Sequence, residues 1–597
     1  MTFDDRLPRI KMLTFRYSTY KIVVAINLLY SIMKGVLRMK GSAILKSIRL
    51  KNIRSLADTG EIPICPLTIL VGGNSSGKST FLRTFPLIRQ SISKRTDGPI
   101  LWAGDIDDYV DFGSFKETKG RVGNAIDFSF TFEIENENRP FSHYHDIRKI
   151  PALNQPYTVN YSISVRQKPT RFGRGEEVPT FEIELNSHKV VIEHSHSKTE
   201  PYKIYVDNSQ VPLIEPEVDG PDEKQWRLYR LIYMLTANKT IFGFQMPNLH
   251  GIWSQLESFV FQDYNCDTQE EYRFVEILAN VFLLQKNPAV FLKAIVEDEN
   301  AFVLNHKTHD EFELNLKERI KGFIEKYLEA DKKKQEEIQK WLILFEIYTS
   351  TEQIDEYISK YFRGVHYIAP LRATAERFYR LRNLAVNEID YQGKNMAVFL
   401  NSLSKEQLQN FQDWTQKYFD FVIQLSTKAQ HISVRVARST RAIGVNISDS
   451  GFGYSQILPI IAQMWFLTSK LDNGYRYELD NGYRYDDGMP IVIAIEQPEL
   501  HLHPALQAKL VDAFIACIKN AEEHNRQIQL IIETHSETIV NRIGRNIARK
   551  KISEDKAEIV LFDKEFDKDQ SKVHISKYDS DGCLIEWPIG FFEAGRI

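Results

Sequence analysis

The chain has 597 residues, 43% apolar and 26% charged, with a net charge of -3. That length exceeds one compact core and implies roughly two to four domains. The near-neutral balance removes any global reason for a nucleic-acid or anionic-membrane partner and leaves only local patches. The four cysteines (Cys65, Cys266, Cys517, Cys583) are scattered without CxxC or metal spacing, which excludes a disulfide framework and suits a reducing cytoplasm.

In chain order, "IVVAINLLYSIM" (Ile22 to Met33) is apolar but shorter than the roughly 20 residues of a membrane span. No small-residue cleavage site follows it. Residues 1–40 are expected to be an extension outside the fold; a membrane-touching helix is the alternative, and no membrane partner is expected. The next unit, 41–220, opens on "ILKSIRLKNIRSL", which alternates like a strand. Then "CPLTILVGGNSSGKSTFLRTFPLIRQSI" reads strand, glycine-rich turn, helix. From about 125 the runs "AIDFSFTFEIE", "YTVNYSISV", "TFEIELNSHKVVIEHS" and "YKIYV" are short and alternating, as in antiparallel β-structure. Residues 221–364 turn helical and are expected to be an insertion, without the heptads of a coiled-coil arm. The α/β pattern resumes over 365–597. A tandem octapeptide, Leu471 to Asp486, reads as an exposed turn with no assigned function.

Four motifs carry chemistry. "GGNSSGKS" (Gly72, Gly73, Asn74, Ser75, Ser76, Gly77, Lys78, Ser79), with Thr80 after it, matches the P-loop pattern. Backbone N–H groups of such a loop cradle the phosphates of ATP, Lys78 reaches the β- and γ-phosphates, and the Ser79 hydroxyl ligates Mg2+. The following helix adds its N-terminal dipole. "IVIAIEQPELHLHP" is a buried run that delivers Glu496 beside the metal. "IQLIIETHSETI" places His535 at the end of another buried run, where it can reach a γ-phosphate. "DSGFGYSQILPII" offers Ser450, Gly451, Gly453, Ser455 and Gln456 ahead of a helix as a second anion-binding turn. Alone that last motif is indistinguishable from a β-turn before a helix.

Together and in this order the motifs resemble the ABC-type ATPases, specifically the overcoming-lysogenization-defect, RecF and SMC-like branch. "IEQPELHLHP", "ETHSE" and "GFGYSQILP" look closest to stand-alone anti-phage ATPases of the Septu and retron kind, which work with a nuclease. The resemblance covers about 44–125 and 365–597. It implies an α/β fold: an ABC-type P-loop core with an antiparallel β lobe and a mainly helical mid-chain insertion. It further implies that Gly72 to Thr80 hold ATP and Mg2+ and that Glu496 is the Walker B acid. Gln497 then stands at the catalytic-glutamate position, His503 lies in the D-loop and His535 is the switch histidine. "DSGFGYSQ" replaces the usual signature, with Ser450 and Ser455 both open as the serine that meets γ-phosphate in trans. The Q-loop has only weak candidates, Gln90 and "VDFGSF" (Val110 to Phe115). Two chains sandwiching two ATP molecules imply an isologous homodimer.

An amide cannot take a proton, so Gln497 is no general base, and losing a positioned base slows a reaction roughly 10²–10⁴-fold. Slow hydrolysis is therefore expected, with Glu499 the next acid in line. Too few residues remain after Ile539 for the Toprim nuclease of some relatives, so "EIVLFDKEFDKDQ" and "YDSDG" read as terminal strands and turns. The leading expectation is a cytoplasmic, dimeric ATPase that gates a partner effector, a nuclease, in phage defence or DNA surveillance. The rivals are a self-contained RecF-like DNA-repair ATPase and a non-catalytic ATP-gated scaffold. The basic clusters at Arg166–Gly175, Arg435–Arg441 and Arg545–Lys551 leave DNA or RNA contact open.

Overall fold

Where the sequence alternates, an antiparallel sheet forms; where it runs apolar for six residues, a parallel one does. A computed structural model describes residues 41–588 except 95–97, 106–107, 137–156, 170–174, 195–201, 212–239, 242–243, 246–273, 276–277, 280, 284, 298–309, 381–385, 387, 429, 474–489, 525 and 565–569. The N-terminal extension, most of the tandem octapeptide and the first part of the expected insertion lie outside the described residues. No described helix is long and apolar enough to cross a membrane.

The antiparallel sheet has nine strands. From one edge they run Ser209–Val211, Tyr202–Val206, His188–His194, Gly175–Leu185, Tyr157–Pro169, Ala125–Asn136, Gly41–Ile53 and Leu56–Asp58, with Ile62–Pro63 also paired to Gly41–Ile53. Within Ala125–Asn136 the side chains of Phe128, Phe130, Phe132 and Ile134 are buried, while Asp127, Ser129, Thr131 and Glu133 are half-buried. That period-2 split presents one apolar face to the core.

The second sheet has seven strands and carries the site. Its elements are β1 (Leu67–Gly72), β2 (Val365–Ile368), β3 (Ile491–Glu496), β4 (Ile528–Glu533), β5 (Ala557–Lys564), β6 (Ser571–Tyr578) and β7 (Leu584–Ile585), in spatial order β2-β3-β4-β1-β5-β6-β7. The first five are mutually parallel, and β6 and β7 complete the edge antiparallel. Every residue of β1, β3 and β4 is buried, as expected for strands covered on both faces. Ala557–Lys564 and Ser571–Tyr578 are thus paired strands, followed by a turn in which Asp579 accepts from the backbone of Asp581 and Cys583.

Helix α1 (Lys78–Ser93) leaves the end of β1, and helix α2 (Lys332–Arg363) leads directly into β2. Between the two sheets their aromatic rings meet: Phe362 lies 6.4 Å from Phe85 and 5.4 Å from Phe130, and Tyr361 lies 5.7 Å from Phe132. Each such buried ring contributes roughly 1.5–3 kcal/mol, so α2 joins the antiparallel lobe to the P-loop helix. Helices α3 (Phe452–Asn473), α4 (Pro504–Glu523) and α5 (Glu537–Ala548) complete the layers. A four-stranded sheet formed by Tyr379–Arg380, Val422–Lys428, His431–Ala437 and Val445–Asn446 stands beside the start of α3. The molecule is therefore a mixed α/β P-loop core with an antiparallel β lobe.

Candidate nucleotide site

The loop from Gly72 to Ser79 can close only because two positions lack a side chain. A Cβ at Gly72 would lie 2.2 Å from the Phe562 carbonyl oxygen on β5, and one at Gly77 (φ 98°) 2.5 Å from Leu56 Cδ2. Gly73, Asn74 and Ser75 form the exposed tip, with Ser75 held at φ 58°. Gly77 caps α1 without a side-chain hydrogen bond. The first N–H groups of α1 therefore point to the mouth of the loop, a ready anion site. Lys78 Nζ, buried, donates to the carbonyls of Gly72 (3.0 Å) and Gly73 (2.7 Å). Burial lowers its pKa, against the opposing charges of Glu533 and Glu499.

Two acids end adjacent strands at the same register: Glu496 on β3 pairs with Glu533 on β4, and Glu533 with Leu70 on β1. Only β4 lies between β3 and the P-loop strand. The sequence assigns the metal to Glu496. In the structure both of its oxygens are occupied: Arg83 donates through Nε at 2.6 Å and Nη2 at 2.8 Å, and the Tyr367 hydroxyl donates at 2.8 Å. Bidentate pairs of this kind are the strong, geometrically fixed ones. Burial, followed by the Glu496 charge, pushes the Tyr367 hydroxyl well above its ordinary pKa, so it remains a donor. The Ser79 hydroxyl donates to Glu533 Oε1 at 2.9 Å, not to Glu496. Glu533 is 2% exposed, and its other oxygen is buried without a hydrogen-bond partner. Burial and then the Glu496 charge push its carboxyl up to about 7.

Gln497 follows β3 with φ 43°. Its N–H donates to the Glu533 carbonyl (2.8 Å), and its carbonyl accepts from Arg372 Nη2 (3.1 Å). Arg372, 5% exposed, also donates to the carbonyls of Ala369 and Glu496 and to Gln456 Oε1 on α3. Burial lowers its guanidinium pKa to about 10. Arg372 thus ties the start of α3 to the turn after β3. Glu499 Oε1 accepts from the backbone N–H of His535 at 2.7 Å, and its Oε2 is buried and unpartnered. Burial raises the Glu499 pKa. His535 sits exposed at the end of β4; partial desolvation and then the Lys78 charge lower its pKa, which favours the neutral ring at pH 7.

The remaining candidates are distributed as follows. His503 caps α4, its Nδ1 accepting from Ala505 N–H at 3.3 Å, and is exposed. Ser450 and Gly451 form the turn before α3, with Gly451 at φ 88° and open space around it. Ser450 Oγ donates to the Asn446 carbonyl at 2.8 Å. Gly453 lies within the first turn of α3, and Ser455 is buried, its Oγ donating to the Phe452 carbonyl at 2.7 Å. Of the two serines, Ser450 is nearer the surface. Gln456 is buried and bonded to Arg372. Gln90, the weak Q-loop candidate, is turned away: its amide donates to the carbonyls of Leu101 and Val110 and accepts from Val110 N–H. The "VDFGSF" segment is used structurally too, with Ser114 and Glu117 forming a capping box.

The P-loop strand, the intervening β4 and the acid-bearing β3 are the frame of a nucleotide-hydrolysing P-loop core, and residues 44–540 match the AAA ATPase domain family. The chain belongs to that family. No curated protein matches it. Among solved structures it is similar to the Smc head domain with an extended coiled coil bound to the C-terminal domain of ScpA from Pyrococcus furiosus. That match has 13% identity, covers 89% of this chain and 96% of that one, and has a TM-score of 0.30. It is also similar to the SMC head domain from Thermotoga maritima, with 9% identity, 89% and 98% coverage and a TM-score of 0.27.

An AAA ATPase binds ATP, and the donors here fit an accompanying Mg2+. Ser79 Oγ and the unpartnered Glu533 oxygen are hard oxygen ligands, the type Mg2+ prefers. Among the described residues no group of three or more His, Cys, Asp or Glu could hold a metal alone. Phosphate oxygens and water would complete the sphere, as is usual for this ion. The motifs do not point to Arg83, Tyr367, Arg372 or Glu533. For Glu533 a signal was available: "IVIAIE" and "IQLIIE" are both six-residue buried runs closed by Glu.

Proposed function

We propose that this AAA ATPase binds Mg·ATP between two copies of itself, hydrolyses it slowly, and uses the long-lived bound state to gate a partner effector. On this reading the effector is a nuclease and the setting is phage defence or DNA surveillance in the cytoplasm. Gly72 to Thr80 hold the phosphates, Ser79 supplies the metal's hydroxyl ligand, and His535 offers a neutral N–H to the γ-phosphate. Ser450, Gly451, Gly453 and the start of α3 face the partner copy's nucleotide. Gln456 positions that helix through Arg372, and His503 lies at the same interface. Residues 41–220 and 365–597 form the ATPase lobes, and 221–364 is the insertion.

The observation that carries the slow-hydrolysis reading is the Gln497 turn. The residue after β3 is an amide whose backbone is fixed on both sides, by Glu533 and by Arg372. It can orient a water but not deprotonate it. Exposed apolar groups beside the signature turn support the dimer: Ile443 is 93% exposed and Phe452 49%, its ring edge-on to His501 at 5.0 Å. Desolvating such a patch favours association.

The experiment is steady-state ATP turnover of the wild type beside Gln497→Glu. The expected result is a near-silent wild type and an increase of roughly 10²–10⁴-fold on restoring a carboxylate. A wild type that already turns over many ATP per second, with Gln497→Glu unchanged, would mean that the base lies elsewhere, with Glu499 next to test. The RecF-like reading has its own support in Arg438, Arg441, Arg545 and Arg549, all exposed. It requires DNA binding without a partner that weakens steeply with salt.

A further inference from the structure

We propose that Glu533, not Glu496, is the protein carboxylate of the metal site. In this assignment Arg83 and Tyr367 hold Glu496 as a neutralised strut behind it. The inference deepens the nucleotide-site reading and rests on it.

Four observations converge. First, Ser79 Oγ and Glu533 Oε1 stand 2.9 Å apart. Adjacent oxygens of an octahedron with Mg–O distances of 2.0–2.1 Å are themselves about 2.9 Å apart, so these two atoms already have the spacing of neighbouring ligands on one ion. Second, Glu533 Oε2 is buried and lacks any hydrogen-bond partner. A buried carboxylate oxygen without a donor is unfavourable in the fold by itself, and a cation beside it removes that deficit.

Third, neither oxygen of Glu496 lacks a partner. Its Oε1 accepts from Arg83 Nε and Tyr367 and its Oε2 from Arg83 Nη2. For Glu496 to turn to the metal, its part-buried bidentate pair with Arg83 would have to be given up. The guanidinium would then be left beside a dication, a repulsion that the low local dielectric strengthens. Fourth, β4 lies between β3 and β1, which puts Glu533 one strand from the P-loop and Glu496 two.

The Arg83 guanidinium also explains how two carboxylates tolerate the same strand ends. Arg83 compensates the charge of Glu496, so the cation need answer only Glu533.

The test separates metal from nucleotide. Binding of a fluorescent ATP analogue is measured in EDTA and again with Mg2+, and Mn2+ binding to the nucleotide complex is followed by electron paramagnetic resonance. Wild type is expected to bind the analogue without metal and to tighten with it. Glu533→Gln should keep the metal-free affinity, which also reports that it folds, while Mn2+ affinity falls by about tenfold or more, the scale of losing a metal-site partner. Arg83→Met combined with Glu496→Gln, which removes the ion pair whole, should leave the metal increment nearly intact. The reverse pattern overturns the proposal and leaves the nucleotide site standing. No analogue binding by wild type, with or without metal, overturns both. If Glu533→Gln loses metal-free binding as well, Glu533→Asp decides: it keeps the charge but withdraws it from Ser79. A partial loss of the metal increment supports the assignment, and an unchanged increment refutes it.

Discussion

Replacing Glu533 by Gln removes a carboxyl that titrates differently in the folded and unfolded chain, and the difference sets a measurable pH dependence. Burial and then the Glu496 charge lift its folded value from 4.5 to about 7. Between those two values the folded protein keeps the proton and the unfolded chain has released it. The nucleotide-free protein must therefore lose stability as pH climbs from about 4.5 to about 7, with no contribution to the slope below or above that window. At about 1.4 kcal/mol per pH unit the swing is about 3 kcal/mol. The Gln variant has no such proton, so the stability difference between wild type and variant should shift by that amount across the window. Any constant packing effect of the substitution cancels in the comparison. The assay is native-state hydrogen exchange of the most protected β3 and β4 amides, corrected for intrinsic rates, at several pH values without nucleotide or metal. Those amides open with the core sheet itself and report its free energy. Wild type and variant tracking each other at every pH would refute the picture of a desolvated carboxyl beside a second acid.

Two further perturbations follow from the same geometry. Arg83→Met should destabilise the protein by about 3–5 kcal/mol, because it leaves Glu496 buried with only Tyr367 to answer it. Adding Glu496→Gln in that background should recover much of the loss, and denaturant midpoints of the two single variants and the double variant measure this. Gly72→Ala drives a methyl to within 2.2 Å of the Phe562 carbonyl, so β1 and β5 must part at the P-loop. A loss of about 1–3 kcal/mol is expected, together with loss of ATP-analogue binding; unchanged binding and melting would show that the loop has room the structure denies it.

The P-loop, the buried runs that precede Glu496 and Glu533 and the alternation after residue 125 were legible in the sequence because each depends on a handful of neighbouring residues. A phosphate-binding turn is built by consecutive N–H groups, and a strand's exposure pattern follows from its own period of two. The helical character expected over 221–364 was legible in the same way where helices Asp310–Glu329 and Lys332–Arg363 stand, and Thr240–Ile241 and Phe244–Gln245 instead pair as strands. That α2 serves as the seam between two sheets was not, since no local pattern names the ring that Phe362 will meet.

The pairing of the acids belongs to the second kind. Spacing places Glu496 and His535 behind the P-loop but cannot say which carboxylate remains available. That depends on Arg83 reaching Glu496 across 413 positions of sequence and Ser79 reaching Glu533 across 454. The sequence alone determined that this chain has a P-loop ATPase core and an amide where a base is expected. Only the tertiary structure decided which acid pairs with Arg83 and which faces Ser79. The order of parallel strands is fixed by packing over the whole sheet, and charge pairing at their ends follows from that order.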